Sequence, residues 1–185
     1  AVSIRLGDGQ GAFSGATNIG VGEFPQSLAL GDFNSDGKQD LAVANLFSNT
    51  VSVRLGDGLG GFSGATEVST GAEPASVVIG DFNRDGKQDM VVVNSGAGTV
   101  SIRLGDGLGQ FSGTTEISVG ANPYSAVIGD FNGDGLLDIL ARTAPSANTY
   151  RICINHGIAP DLSSSGYVCA NTITGSLRQP QVVDI

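Results

Sequence analysis

The chain has 185 residues, 40% of them hydrophobic, and a formal net charge of −9. This length and apolar content are enough for a domain with a buried core, and they exclude an intrinsically disordered protein. The nine Lys and Arg are scattered singly, which argues against nucleic-acid binding, and no apolar run approaches the ~18 residues that a transmembrane helix needs.

The sequence repeats itself with a period of 49 residues. Pro25, Pro74 and Pro123 follow this spacing, and so do Leu6, Leu55 and Leu104. Internal repeats of such length indicate a propeller, a solenoid or an array. The period divides the chain into a half unit at residues 1–25, full units at 26–74 and 75–123, and a divergent final unit at 124–185.

Each full unit has the pattern of four short strands. In the unit 75–123, apolar or alternating segments bounded by Gly, Pro and Asp predict strands at 75–79, 90–94, 99–104 and 114–119. Four antiparallel strands per ~40–50 residues are typical of a β-propeller blade. The predicted fold class is therefore all-β, a propeller of four-stranded antiparallel blades with about 3.5 blades in this chain, residues 1–25 giving the last two strands of the first.

The side-chain pattern of each strand predicts its place in the blade. The second strand is apolar on both faces and is expected near the centre of stacked blades, whereas the polar fourth strand suits an outer edge. The third strand alternates, which predicts that Ser101 and Arg103 lie on a solvated face. The recurring Phe13, Phe62 and Phe111 are expected to pack between neighbouring blades.

An acidic loop stands between the first two strands of every unit. Residues 81–89 read DFNRDGKQD, and copies lie at 32–40 and 130–138. Positions 1, 3, 5 and 9 are always Asp or Asn, and position 6 is always Gly. Ca²⁺ takes six to eight oxygen ligands at roughly 2.3–2.6 Å, and a short loop around it needs glycine for the sharp turn. Position 7 varies freely, which indicates a ligand supplied by its backbone carbonyl.

The loop opens like an EF-hand but lacks the Glu at position 12, and strands flank it in place of helices. We therefore predict three Ca²⁺ sites, each in a β-hairpin. The expected ligands are Asp32, Asn34, Asp36, Lys38 and Asp40; Asp81, Asn83, Asp85, Lys87 and Asp89; and Asp130, Asn132, Asp134, Leu136 and Asp138. The alternative is three acidic turns without metal, because Asp, Asn and Gly are ordinary turn residues. A further hypothesis is that Asp8, Asp57 and Asp106, in the Gly-Asp-Gly turns, assist a second cation.

Two cysteines lie near the C-terminus. Cys153 and Cys169 are 16 residues apart, and a disulfide between them would place the protein outside the cytosol. The repeat alignment puts Cys153 on a third strand, so we predict that the bond joins the last two strands of the final blade, with residues 163–166 as the loop. Two free buried thiols are the alternative. The single His156 is expected to be a turn residue.

Residues 76–94, SVVIGDFNRDGKQDMVVVN, and their two copies resemble the FG-GAP/VCBS repeat family, whose propeller repeats with Ca²⁺ loops also occur in integrin α-subunit heads. The resemblance covers residues 1 to about 157. It implies a propeller with Ca²⁺ between the first two strands of each blade, in an extracellular, secreted or cell-surface protein. The Phe-Gly and Gly-Ala-Pro signatures of the integrin repeats are missing at the flanks, which favours the bacterial-type VCBS branch.

Three and a half blades cannot close a ring that typically has four to eight blades. Either the chain is part of a longer protein that supplies the remaining blades, or its open ends are covered by other copies. Repeat proteins with uncapped ends associate with their own kind, so self-assembly is the alternative.

These features predict a calcium-binding extracellular module for adhesion or for binding a protein or carbohydrate ligand, with structural Ca²⁺. One alternative is a building block of a surface layer or filament, assembled through the open ends. Another is an accessory propeller in a larger secreted enzyme. The chain itself is not expected to be an enzyme, because it has a single His and no Gly-x-Ser-x-Gly nucleophile turn.

Overall fold

A computed structural model describes residues 1–143, 149–155 and 167–174. These residues form fourteen β-strands and no α-helix, so none of them belongs to a helix that could cross a membrane. The strands are β1 (Val2–Gly7), β2 (Phe13–Ile19), β3 (Pro25–Gly31), β4 (Asp40–Asn45), β5 (Thr50–Gly56), β6 (Phe62–Ser69), β7 (Pro74–Gly80), β8 (Asp89–Asn94), β9 (Thr99–Gly105), β10 (Phe111–Ser118), β11 (Ser125–Gly129), β12 (Asp138–Arg142), β13 (Thr149–Asn155) and β14 (Tyr167–Thr174).

The strands form four separate antiparallel sheets, each built from strands that follow one another in the chain. Sheet 1 holds β1 and β2, sheet 2 holds β3–β6, sheet 3 holds β7–β10 and sheet 4 holds β11–β14. None of the four sheets closes on itself. The predicted four-strand unit is confirmed, and the polar fourth strands β6 and β10 lie at sheet edges.

Consecutive sheets bury apolar side chains between them. The second strand of each full sheet sends alternate residues to both sides: in β4, Leu41 and Val43 pack with sheet 1, whereas Ala42 and Ala44 pack with sheet 3. All six residues of β4 and of β8 are buried. The prediction that the second strand is apolar on both faces is therefore confirmed.

The prediction of a solvated face on the third strand was wrong. Ser101 is fully buried and Arg103 is 7% exposed, because the neighbouring sheet covers this face of β9 as well. The two side chains remain buried because they find hydrogen-bond partners, as buried polar groups nearly always do. Arg103 Nη2 lies 2.9 Å from Glu116 Oε1 on β10, and its Nε donates to the carbonyl of Ser69 in sheet 2.

The same arrangement occurs one repeat earlier in sheet 2. Arg54 Nη2 lies 2.7 Å from Glu67 Oε1, and Arg54 Nε donates to the carbonyl of Gly20 beside sheet 1. Each arginine thus joins the third and fourth strands of its own sheet and also reaches the chain segment that precedes that sheet.

Sheet 4 joins its last two strands differently. Cys153 on β13 and Cys169 on β14 are directly opposite one another and form a disulfide, as predicted. Cys153 occupies the repeat position of Arg103, so a covalent bond stands where sheet 3 has an ion pair. The turn expected at His156 and the loop expected at 163–166 lie outside the described residues.

The recurring phenylalanines confirm the prediction at two positions of three. Phe62 and Phe111 pack against the clusters between sheets, and the ring of Phe111 meets Phe33 edge-on at 5.4 Å. Phe13 is 69% exposed. It lies on sheet 1, which no other sheet precedes in the part of the chain that the structure describes.

Candidate metal centre

The three acidic loops occupy the predicted hairpins. Each follows the first strand of a full sheet and ends at the first residue of the second strand, which is Asp40 in β4, Asp89 in β8 and Asp138 in β12. The apolar strands on either side are held by the core, so the loop ends are fixed by packing. The three loops therefore lie at corresponding places in sheets 2, 3 and 4.

Inside each loop, the first three acidic or amide side chains bind the loop's own backbone. In the first copy, Asp32 Oδ1 accepts from the Asp36 amide at 3.0 Å, and Asp32 Oδ2 accepts from the Gly37 amide at 2.9 Å. Asn34 Oδ1 also accepts from the Asp36 amide, and Asp36 Oδ1 accepts from the Lys38 amide. A φ of +79° at Gly37 explains why only glycine stands at position 6.

The other two copies repeat these hydrogen bonds atom for atom. The Asp85 and Gly86 amides donate to Asp81, and the Lys87 amide donates to Asp85. In the third copy, Asp130 accepts from the amides of Asp134 and Gly135. Three sequences that differ at the variable positions thus adopt one loop conformation.

The aspartate at position 9 anchors the loop to the sheet. Asp40 is fully buried; its Oδ2 accepts from the Phe33 amide and its Oδ1 from the Gly56 amide on the third strand, both at 2.8 Å. Asp89 makes the same two bonds with Phe82 and Gly105. In sheet 4, Asp138 accepts from the amides of Phe131 and Asn155.

The charges of one loop repel each other. Burial raises the pKa of Asp89 to about 6, and the negative charges of Asp85 and Asp81 add to this, whereas the amides of Gly105 and Phe82 act in the opposite direction. Like charges favour the neutral form of a carboxyl group, so a bound cation would relieve the repulsion.

In two of the loops the lysine at position 7 forms an ion pair with the aspartate at position 5. Lys38 Nζ lies 3.2 Å from Asp36 Oδ2, and Lys87 Nζ lies 3.7 Å from Asp85 Oδ2. The third loop has Leu136 at this position, and its Asp134 Oδ2 accepts from Asn132 Nδ2 at 2.9 Å. The loops therefore share a backbone conformation and differ in net charge.

The chemistry of the donor set fits a hard cation such as Ca²⁺. All candidate side chains offer oxygen, and a carboxylate oxygen that accepts one N–H keeps further acceptor capacity. Within residues 1–143, 149–155 and 167–174, however, no three side chains of Asp, Glu, His or Cys form a group that could hold a metal ion. The structure brings the expected residues into one short loop, and their role as ligands stays a prediction.

The Gly-Asp-Gly turns have a simpler explanation than a second cation. Asp57 Oδ1 accepts from the amides of Leu59 and Gly61 at 2.7 and 2.9 Å, which closes the turn after β5. These two bonds hold the pKa of Asp57 below its usual range. Asp8 and Asp106 make equivalent bonds, so turn formation accounts for an aspartate at all three positions.

A buried polar network at the far end of the second strand was not predicted. Asn94 Nδ2 donates to Ser101 Oγ at 2.7 Å, and Ser101 Oγ donates to Glu116 Oε1 at 2.6 Å, beside Arg103. The equivalents in sheet 2 are Asn45, Ser52, Glu67 and Arg54. The sequence did contain a signal for this network: the same four residue types recur 49 residues apart. A solvent-exposed surface would not require that recurrence.

Near the same end of β4, two aromatic rings are exposed. Phe24 and Phe47 are 53% and 62% exposed, and their ring centroids lie 4.7 Å apart. Phe24 has a φ of +55°, a conformation that is rare for a bulky residue and costs energy. The equivalent positions, Glu73 and Asn122, have the same backbone conformation, so the fold imposes it and the ring is an addition of this repeat.

The profile of the FG-GAP-like repeat matches the chain three times, at residues 1–43, 32–92 and 81–141. The matched residues include all three acidic loops. No curated protein matches the chain. The expected closer relation to the VCBS branch stays a prediction. Because the three matches together span well over half of the sequence, the chain belongs to the FG-GAP-like repeat family.

Proposed function

We propose that the chain is a calcium-stabilised, extracellular β-propeller module that binds a protein or carbohydrate ligand. The observation that carries the proposal is the threefold loop, in which the same oxygen atoms accept from the same amides although the intervening residues differ. Stacking of consecutive four-stranded sheets through apolar clusters supports the propeller architecture.

In this proposal the side chains at positions 1, 3 and 5 and the backbone carbonyl at position 7 hold Ca²⁺, and the aspartate at position 9 closes the site. When bound, Ca²⁺ supplies positive charge that offsets the repulsion between the carboxylates. Asp40 and its equivalents then connect the loop to the third strand through the hydrogen bonds already described. The role of the metal is structural, and the loop residues perform no reaction.

The disulfide and the family support an extracellular location, since disulfides persist mainly in oxidising compartments. The exposed pair Phe24 and Phe47 supports ligand binding, because aromatic rings are enriched where proteins bind partners. This aromatic pair lies beyond one end of β4, and the acidic loop of sheet 2 lies at the other end of that strand. Metal and ligand would thus occupy different ends of the sheet.

Calorimetric titration of the EDTA-treated chain with Ca²⁺ tests the metal part. We expect three binding events per chain, together with a higher melting temperature in Ca²⁺ than in EDTA. The Asp85→Ala variant should melt lower than wild type in Ca²⁺ and close to wild type in EDTA. An equal drop in both conditions would exclude a metal role for that side chain.

A glycan array and an affinity pull-down, each repeated with the Phe47→Ala variant, test the ligand part. Loss of a captured ligand on substitution supports the aromatic pair as its contact. Capture that is the same for wild type and variant would place the binding surface elsewhere.

A building block that assembles through open ends is the second candidate. It is favoured by apolar side chains exposed on the first and the last of the described sheets: Phe13 at 69% on sheet 1 and Val127 at 54% on sheet 4. Native mass measured in Ca²⁺ and in EDTA distinguishes the two candidates. A large Ca²⁺-dependent assembly supports the building block, and a monomer in both conditions supports the ligand-binding module.

A further inference from the structure

A side chain of the second acidic loop reaches the third. Arg84 stands at position 4 of loop 2 (81–89), and its Nη2 donates to the backbone carbonyl of Asp134 at 3.2 Å. Asp134 holds position 5 of loop 3 (130–138). The guanidinium also covers the next residue, because a Cβ added to Gly135 would collide with Nη2 of Arg84. The two loops belong to sheets 3 and 4, so this contact joins neighbouring sheets.

Loop 1 (32–40) and loop 2 make no such contact, although every residue of both loops is described. Position 4 of loop 1 is Ser35, whose side chain is much shorter than that of arginine. A Cβ added to Gly86, the glycine of loop 2 that corresponds to Gly135, would meet no atom within 4 Å. The contact between loops 2 and 3 is therefore a property of this pair and not of the repeat.

The contact brings a positive charge to a loop that has none of its own. Loop 3 carries three aspartates and no basic residue, whereas loop 2 carries three aspartates, Arg84 and Lys87. Lys87 pairs with the carboxylate of Asp85, but Arg84 binds a main-chain carbonyl of loop 3. The carboxylate of Asp134 stays with its own loop, where Oδ1 accepts from the Leu136 amide at 2.8 Å. Arg84 thus contacts loop 3 without occupying a carboxylate that a cation would need.

Loop 3 also has the greatest backbone freedom of the three loops. Only loop 3 has glycine at both positions 4 and 6, and Gly133 and Gly135 have φ values of +82° and +81°. Glycine loses more conformational entropy than any other residue when its backbone becomes ordered. Because Asp134 lies between these two glycines, the hydrogen bond from Arg84 restrains the part of the loop that is most costly to order.

Arg84 is itself positioned by two predicted ligands of loop 2. Asn83 and Asp85 flank it in the chain, and Asn83 Oδ1 accepts from the Asp85 amide at 3.0 Å. The backbone of Arg84 has a φ of +59°, which is uncommon for a residue other than glycine. Ordering of Asn83 and Asp85 around a cation would hold this backbone in place, and with it the base of the arginine side chain.

We propose that Arg84 makes the calcium sites of loops 2 and 3 a cooperative pair, in which occupation of one site raises the affinity of the other, while loop 1 binds independently. The inference rests on the proposed function, since it takes the loops to be calcium sites. An ordered loop 2 holds Arg84, and Arg84 holds Asp134, so loop 3 has less conformational entropy to lose when a cation binds. Coupling of this kind is reciprocal, so loop 3 raises the affinity of loop 2 by the same factor. Arg84 is a positioning residue and not a ligand.

Nuclear magnetic resonance can follow each site separately while the calcium-free chain is titrated with Ca²⁺. The amides of Gly37, Gly86 and Gly135 each donate to the first aspartate of their own loop, so their chemical shifts report on loops 1, 2 and 3. Asp85→Ala removes a predicted ligand from loop 2 and should weaken Ca²⁺ binding at loop 3 by about fivefold. The matched change in loop 1, Asp36→Ala, should leave the affinity of loop 3 unchanged.

The same titrations in Arg84→Ser test the arginine, because this variant gives loop 2 the residue that loop 1 has at position 4. In this background Asp85→Ala should no longer change the affinity of loop 3. Arg84→Lys keeps the charge and a donor, and it should restore part of the coupling. An arginine that only stabilised the fold would leave the dependence of one site on the other intact. An undiminished effect of Asp85→Ala in Arg84→Ser, or equal weakening of loop 3 by Asp36→Ala and Asp85→Ala, overturns the proposal.

Amide hydrogen exchange in EDTA tests the contact without metal. Arg84→Ser should accelerate exchange of the Gly135 amide severalfold and leave the Gly37 amide unchanged, because only loop 3 loses a restraint. Unchanged exchange at Gly135 contradicts the contact.

The titration also separates this proposal from the proposed function. Three sites that bind Ca²⁺ without influencing one another would overturn the coupling alone. Glycine amides that do not shift with Ca²⁺ would overturn the calcium sites, and the coupling with them.

Discussion

Sheets 3 and 4 have the same strand order and the same acidic loop, but they hold their last two strands together by different chemistry. Sheet 3 uses the buried Arg103 and its partner Glu116, and sheet 4 uses the disulfide between Cys153 and Cys169. The loop aspartates Asp89 and Asp138 make the same pair of hydrogen bonds in both. The comparison indicates that the first hairpin is the constant part of the repeat, and that the link between the last two strands can be exchanged.

Substitutions in the first hairpin should lower the free energy of unfolding by the largest amount, and by an equal amount in both sheets. Asp89→Ala leaves two buried amides without an acceptor, and Asp138→Ala leaves one buried and one partly buried amide, so each change should cost roughly 2–5 kcal/mol of unfolding free energy. Urea denaturation in EDTA measures this without any contribution from metal. Asp85→Ala, whose side chain is more exposed, is the control and should cost much less. A large difference between the two sheets would show that their first hairpins are not equivalent.

Removal of the disulfide should have the second-largest effect on the free energy of unfolding. Replacing both Cys153 and Cys169 by Ser opens a loop with a sequence separation of 16, which should cost about 2–4 kcal/mol. The loss should be confined to sheet 4, so hydrogen exchange should accelerate in β13 and β14 and remain slow in β8. Acceleration across all sheets would mean that the disulfide supports the whole chain.

The ion-pair link should have a smaller effect than the disulfide. Arg103→Met keeps much of the apolar packing of the side chain and removes its hydrogen bonds to Glu116 and to the Ser69 carbonyl, which should cost about 1–3 kcal/mol. The matched change in sheet 2, Arg54→Met, should cost a similar amount. Thermal unfolding of the two variants checks this. Unchanged melting temperatures would show that the ion pair does not stabilise its sheet as the disulfide is expected to stabilise sheet 4.

The charge difference between the loops should give the smallest effect. Lys87→Leu removes an exposed positive charge beside Asp85, and Leu136→Lys adds one to the third loop. Two unit charges about 4 Å apart interact by about 1 kcal/mol in water. The affinity for Ca²⁺ should therefore rise up to about fivefold in Lys87→Leu and fall by a similar factor in Leu136→Lys. Calorimetry at low salt measures the difference, and 1 M salt, which screens it, is the control.

Much of this comparison could be predicted from the sequence. The apolar runs on both sides of the acidic loop predicted the first hairpin, because such runs form buried strands and the glycine at position 6 requires a turn. The alignment of Cys153 with a third strand predicted the disulfide. Periodicity fails where a strand is covered on both faces by other sheets: Ser101 and Arg103 alternate with apolar residues as surface side chains do, yet they are buried.

The fourth strand illustrates a second limit. It was predicted from about residue 114 and begins at Phe111, because a register shift between Ser112 and Thr115 allows β10 to continue through Gly113. A glycine with a φ of +91° reads as a turn in the sequence and acts as a bulge in the sheet. The positions of the loop side chains relative to a cation depend on atomic distances that a motif does not specify.

The arginines whose side chains bond to the preceding chain segment affect how the molecule unfolds. Arg54 and Arg103 each donate to a carbonyl at the end of the previous repeat, Gly20 and Ser69 respectively. One repeat therefore cannot detach without breaking a bond held by the next, so the energy of a repeat depends on its neighbour, as in a one-dimensional chain of coupled units. Unfolding under a pulling force should then proceed in steps longer than a single 49-residue repeat.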